Sequence, residues 1–242
     1  MSVSKMIAGA SAIVLGVNLA SAAMAGELIT NGGFETGDYT GWTVNTQAGS
    51  SGSLNVVLNN GGTSPLSGFS YALNPAGGVY FSITDQTGPG SYSLTQSFTL
   101  LSSQKVTISF DLFANNNNGT DINNGRDYTI NPNQNAVADL LVGGADPFTD
   151  AAADIVATLY GPGSDGAGVN PWQSYSSSLF LAAGTYTLRF AETDNQTFFQ
   201  QGVDNVSVST APEPAAWAMM LVGFGVIGGG LRSRRRIGVS FG

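Results

Sequence analysis

The sequence predicts an all-β protein, a β-sandwich with one short helix, preceded by an export signal and followed by a transmembrane helix. Three observations predict it. Between Gly26 and Thr210 the chain is cut into short apolar segments, several with a period of two, and Gly, Asn, Ser and Thr fill the turns between them. Both ends are apolar and uncharged over lengths that suit a leader and a membrane span. The charges are also split: Lys105, Arg126 and Arg189 are the basic residues between Glu27 and Glu213, against all sixteen acidic ones, a net charge of −13 over that span.

At the N-terminus, Lys5 precedes an uncharged stretch from Met6 to Met24, and Ala23-Met24-Ala25 fits the small-x-small cleavage rule. Residues 1–25 are therefore expected to be a signal peptide. Residues 26–210 are long enough for one sandwich domain with a sizeable core. An acidic surface repels nucleic acid and anionic lipid, and suits solubility, neutral glycans and calcium. The chain has no His and no Cys. That excludes a Ser-His-Asp triad, the usual zinc hydrolase site, thiol nucleophiles and disulfides.

The elements follow in order. Leu28 to Thr30 is a short strand broken by the turn Asn31-Gly32-Gly33, which leaves Phe34 and Trp42 to plug one end of a core. Leu54 to Leu58 and Gly77 to Thr84 are compact apolar strands. In Ser91 to Leu100, Tyr92, Leu94, Gln96 and Phe98 share a face, and in the next strand Val106, Ile108, Phe110 and Leu112 point inward. Asn115 to Asp127 is a polar loop. Asp121, Asn123 and Asp127 there resemble calcium ligands in kind, but the Gly and closing Glu of an EF-hand are missing, so a solvated loop is expected. Ala136 to Val142 is a strand. The stretch from Asp146 to Tyr160, Ala-rich with acids early and Gly161-Pro162-Gly163 after it, predicts the one short helix, with Asp146, Asp150 and Asp154 on one stripe. Ser174 to Leu181, Gly184 to Glu192 and Gly202 to Val208 are the closing strands. Arg189 and Lys105, both in strands, are expected to take part in ion pairs.

After Pro212-Glu213-Pro214, the run from Ala215 to Leu231 is seventeen residues without a charge, and Arg232, Arg234, Arg235 and Arg236 follow. That length suits a membrane-spanning helix, and the basic cluster holds its far end in the cytoplasm. The motif with Trp217-Ala218, the Gly-rich apolar run and the terminal arginines resembles the PEP-CTERM sorting signal in its PEPxxWA variant, over residues 211–237. The resemblance implies recognition at Pro212, Glu213, Pro214 and Trp217 by exosortase, a membrane-embedded transpeptidase of Gram-negative bacteria, and hence export and transient anchoring in the inner membrane. The protein would finally reside at the cell surface or in the extracellular matrix of a biofilm.

The opening Asn31-Gly32-Gly33-Phe34-Glu35 with Gly41-Trp42, and the closing Gly202-Val203-Asp204-Asn205-Val206-Ser207-Val208, resemble carbohydrate-binding-module-like, galactose-binding-like jelly rolls. That resemblance implies a structural calcium held by Glu35 and Asp204. The alternative reading has Glu35 capping a turn and Asp204 bonding the neighbouring backbone. Trp172 and Tyr175 are candidates for stacking on sugar rings, although such aromatics more often supply buried core area. The expected function is a non-catalytic, exported surface protein that binds polysaccharide and is processed by exosortase. The competing expectation is a glycan hydrolase using a carboxylate pair, which no motif marks.

Overall fold

Alternation builds the body of the chain. The computed structural model describes residues 26–58, 63–68, 74–117, 121–161, 167–210, 222–225 and 228. By its contacts the chain divides into Ala25–Ala211 and a second unit made of Met1–Met24 and Pro212–Gly242. The described residues of the first unit form β1 (Thr43–Thr46), β2 (Gly52–Leu58), β3 (Tyr80–Gln86), β4 (Gly90–Leu100), β5 (Gln104–Asn116), β6 (Gln134–Val142), β7 (Ile155–Tyr160), β8 (Gln173–Leu181), β9 (Gly184–Asp194) and β10 (Phe199–Thr210). They make a jelly-roll β-sandwich of two five-stranded sheets, ordered β1-β4-β9-β6-β7 and β2-β3-β10-β5-β8. Each pairing between neighbouring strands is antiparallel.

The core lies between the sheets. Tyr92, Leu94, Phe98 and Leu100 of β4 meet Val106, Ile108, Phe110 and Leu112 of β5, with Ala136, Ala138 and Leu140 of β6 and Leu188 and Phe190 of β9 beside them. The faces expected from the period of two are the faces observed. Phe34 and Trp42 are buried at one end, with ring centroids 5.7 Å apart, and Trp42 reaches Phe190 at 6.1 Å. The segment before them is tied to β10 by one bridge, Glu27 to Ser209, in place of the strand expected at Leu28 to Thr30. Leu28 donates to the Val208 carbonyl at 2.8 Å, and Val206 donates to that of Gly32 at 2.9 Å. A register shift in β10 between Asp204 and Ser207 lets Val203, Val206 and Val208 all face the core.

The outer face of the β2-β3-β10-β5-β8 sheet carries a smaller cluster of Val57, Phe81, Ile83 and Phe113, against which Trp172 packs. Gly202 makes room for it, since a Cβ there would lie 2.1 Å from Phe113.

The helix expected from Asp146 to Tyr160 does not form. Residues 146–154 are turns, and Ile155–Tyr160 is β7, paired to β6 with two register shifts. Ile155, Val156, Thr158 and Tyr160 favour an extended chain, and the open edge of β6 supplies its hydrogen bonds. The acids go to separate partners. Asp146 accepts from the Phe148 N–H at 2.7 Å, Asp150 from that of Arg126 at 2.6 Å and Asp154 from the Thr149 hydroxyl at 2.8 Å. Helix among the described residues is confined to 222–225 and 228, and none there is long and apolar enough to cross a membrane. The signal peptide, Pro212, Glu213, Pro214, Trp217, Arg232, Arg234, Arg235, Arg236 and most of the span 215–231 lie outside the described residues.

Candidate functional site

Two polar features stand out against the apolar core. The first is on the outer face of β9 and β6. Register sets Arg189 opposite Asp139, and Arg189 Nη2 donates to Asp139 Oδ2 at 2.5 Å in a pair that is almost wholly buried. Its Nη1 donates to the carbonyls of Thr149 at 2.7 Å and Pro147 at 3.3 Å. Arg126, 2% exposed, comes from the 121–133 loop and donates through Nη2 to Asn123 Oδ1 at 2.6 Å. Its Nε lies 3.3 Å from Asp150 Oδ1, close enough for an ion pair but without hydrogen-bond alignment. Burial lowers the Arg126 pKa and Asp150 opposes that shift, whereas the neighbouring Arg189 charge adds to it. Arg126 Nη1 and Arg189 Nε are buried donors with no acceptor. These groups line a cavity of about 290 Å³ with Val137, Ile155 and Thr158.

The second feature is the polar end of the interior. Glu192 and Asp194, both on the inner face of β9, sit among Thr84, Gln86 and Gln201. Glu192 Oε2 accepts from the Thr84 hydroxyl and, at 2.8 Å, from the Gln201 N–H. Burial pushes the Glu192 carboxyl up to about 8 and raises Asp194 as well. A cavity of about 430 Å³ opens here. Asp194, Gln86 and Gln196 are in its wall, and Glu192 is not.

The residues expected to matter fall as follows. Glu35 and Asp204 do converge on one loop. Glu35 Oε1 accepts from the N–H groups of Val79 at 2.8 Å and Tyr80 at 3.1 Å, and Asp204 Oδ2 from that of Gly77 at 2.9 Å. Asp204 Oδ1 also accepts from the Asn205 N–H at 2.7 Å, and burial pushes this carboxyl up to about 6. These are backbone contacts of the kind the capping alternative expects. Among the described residues no three acidic side chains gather to hold a metal. In the 115–127 loop, Asp121, Asn123 and Asp127 bond Asn116, Arg126 and Thr129 respectively, so they do not share a centre.

Trp172 is half-buried, edge-on to Phe113 and Phe81 with centroids at 4.6 and 5.4 Å, and its Nε1 donates to the Asn74 carbonyl at 2.7 Å. Tyr175 stacks on Phe110 at 5.4 Å and meets Tyr160 edge-on. Both rings take part in packing. Arg189 forms the ion pair expected of it, whereas Lys105 is in neither ion pair found among the described residues. Sequence reasoning missed the arginine cavity.

A model of the PEP-CTERM protein-sorting motif matches residues 210–236. The chain carries a PEP-CTERM sorting motif. The motif begins at the last residue of β10, where the sandwich ends. No curated protein is significantly similar to the chain. Among solved structures, the Stig cyclase Fisc from Fischerella sp. TAU superposes with a TM-score of 0.50 at 15% identity, covering 78% of this chain and 99% of that one. TmCBM61, solved in complex with beta-1,4-galactotriose, gives 0.44 at 14% identity over 77% and 99%. The enzymatically active domain of bacteriophage CBA120 tailspike protein 4 gives 0.46 at 11% identity, and the alignment covers 76% of this chain but 21% of the tailspike chain. At these identities the likeness is one of fold.

Proposed function

We propose that this PEP-CTERM protein is exported, anchored by its C-terminal segment until exosortase acts at Pro212-Glu213-Pro214, and left at the cell surface or in the matrix as a non-catalytic saccharide-binding protein. The observation that carries the reading is the sorting motif, placed directly after the closing strand of a single β-sandwich. A jelly-roll sandwich offers broad sheet faces for a polymer, and carbohydrate-binding modules are among the similar folds.

The carboxylates support a binding role over hydrolysis. Cleavage of a glycosidic bond uses two carboxyl groups roughly 5 to 9.5 Å apart on either side of the substrate. Glu192 is wholly buried, and the larger cavity holds Asp194 as the one acid among its described wall residues. In the smaller cavity, Asp139 and Asp150 are each engaged by an arginine.

Affinity electrophoresis in gels containing the producing cell's own exopolysaccharide tests the proposal, with reducing-sugar release measured in parallel. Retarded migration without sugar release is expected; steady release of reducing ends would instead establish the hydrolase. An EDTA lane addresses calcium. With Glu35 and Asp204 engaged by N–H donors, chelation is expected to leave retardation unchanged.

A further inference from the structure

Both exits of the chain from the sandwich lie at one end of it. Thr210 donates to the Gly26 carbonyl at 3.2 Å, and Gly26 donates to the Thr210 hydroxyl at 3.4 Å. Register sets Thr210 opposite Val106, and next to Val106 it sets Lys105 opposite Phe180, one residue before the end of β8. Leu101, in the β4–β5 turn, is at the same end, since it follows Leu100, which pairs with Gly184 at the start of β9.

The surface of this end is unusual in two ways. Leu101 is 94% exposed and Phe180 76%, the two most exposed large apolar side chains among the described residues of the body, with Leu66 next at 50%. The alternation that turns Leu179 and Leu181 to the core turns Phe180 outward. Single exposed apolar side chains are ordinary, but here the two extremes stand beside both chain exits. Charge is the second point. Arg126 and Arg189 are buried in ion pairs, which leaves Lys105 as the one exposed basic side chain between Glu27 and Glu213. It is the cross-strand neighbour of Phe180 on the outer face. Glu27 bridges to Ser209 in the same sheet, but its carboxylate is taken up by the Ser207 hydroxyl at 2.6 Å and the Val208 N–H at 2.7 Å.

The length of the connecting chain selects what this end meets. Thr210 and the apolar run that starts at Ala215 are separated by at most about 18 Å of extended chain. A body on so short a lead keeps the end that carries Thr210 against the surface in which that run is held. Apolar side chains next to a lysine suit the headgroup layer of a bilayer, where the former leave water and an ammonium meets phosphate. The rest of the body is strongly acidic and is repelled by anionic lipid.

We propose that the corner formed by Leu101, Phe180 and Lys105 docks on a lipid surface, that of the membrane holding the C-terminal segment, with Lys105 on lipid phosphate. This rests on the reading of that segment as an anchor. Two apolar side chains and one charge do not hold a domain on a bilayer alone. On a short tether the contact is intramolecular, and it has only to orient the body. Docked in this way, the body presents Pro212-Glu213-Pro214 at the membrane surface, and it comes free once the tether is cut.

The chain has no Cys, so one substitution places one probe. The full chain is reconstituted in vesicles of phosphatidylethanolamine and phosphatidylglycerol, and flotation reports attachment. Bimane is placed in turn at Leu101→Cys, Phe180→Cys and, in the exposed turn at the opposite end, Gln196→Cys. Lipids with a nitroxide near the headgroup are expected to quench the first two probes and not the third. Phe180→Asp is expected to abolish quenching at position 101 while the melting curve stays unchanged, because that ring is outside the core. Lys105→Glu is expected to reduce quenching in these vesicles and to have no effect in phosphatidylcholine.

Probes at 101 and 180 that stay bright on floating vesicles, equal quenching at 196, or quenching at 101 that survives Phe180→Asp would each overturn the docking and leave the anchor standing. Quenching that needs exosortase in the same vesicles would assign the corner to that enzyme and overturn the proposal. A chain that does not float, or that still floats with Val222→Asp and Ile227→Asp together, would overturn the anchor and the docking with it.

Discussion

Glu192 contributes to how the body responds to pH. The side chain has no exposed surface, and burial holds its carboxyl at about 8, above the ordinary 4.5. The raised value means that the folded state keeps the proton while the unfolded chain gives it up. The stabilising contribution is therefore complete below about 4.5 and is lost as pH rises towards about 8. Asp204, raised to about 6, acts in the same direction over a lower range. Melting temperature is expected to fall steadily from pH 5 to pH 8. Glu192→Gln, which keeps an oxygen for the Gln201 N–H, should remove most of the slope above pH 6, a difference on the order of a few kcal/mol by pH 8. Thermal melts of both proteins across that range check this, and parallel slopes would refute the assignment. None of this was visible in the sequence, where Glu192 and Asp194 are two acids at the end of an alternating strand. Arg126 and Arg189 were equally hidden, since 63 residues separate them and only the strand register and loop path bring them to one cavity.

Among the elements, β2 to β6 and β8 to β10 were legible as apolar segments between turns, and in β4 and β5 a period of two states the buried face as well. Tyr92, Leu94, Phe98, Val106, Ile108, Phe110 and Leu112 all lie where that pattern puts them. β1 was missed because Thr43–Thr46 is four residues of mostly polar, exposed sequence that exists by pairing with β4. β7 was misread because the acid-rich, Ala-rich stretch before it imitates a helix start, whereas the Asp side chains instead fold it into turns. At β10 the decisive residue is a glycine. Ala at position 202 would drive a methyl group into the Phe113 ring, so Gly202→Ala is expected to destabilise the sandwich by about 1–3 kcal/mol. Urea denaturation reads this as a lower midpoint. Gly161→Ala, whose added carbon meets nothing nearer than 3.7 Å, should shift it far less.

For the whole molecule, the sorting motif was readable from the end of the chain alone, since the Pro-Glu-Pro motif, the apolar run and the arginines are local in sequence. The proposed processing depends on residues equally local. Substituting Glu213 and Pro214 with Ala is expected to leave the body's melting curve unchanged and to keep the chain in the inner-membrane fraction at full length. Normal release of that variant would remove exosortase from the account. The position of β10 has a further consequence for secretion. This last strand before the motif is not at an edge but lies between β3 and β5, and it also holds the N-terminal segment through Leu28 and Gly32. On the proposed export route, a polypeptide threaded outward from its N-terminus delivers that central strand last, so the β2-β3 and β5-β8 pairs have nothing to join them until nearly all of the body has crossed. On that route the second sheet is expected to close only when little but the tail remains behind.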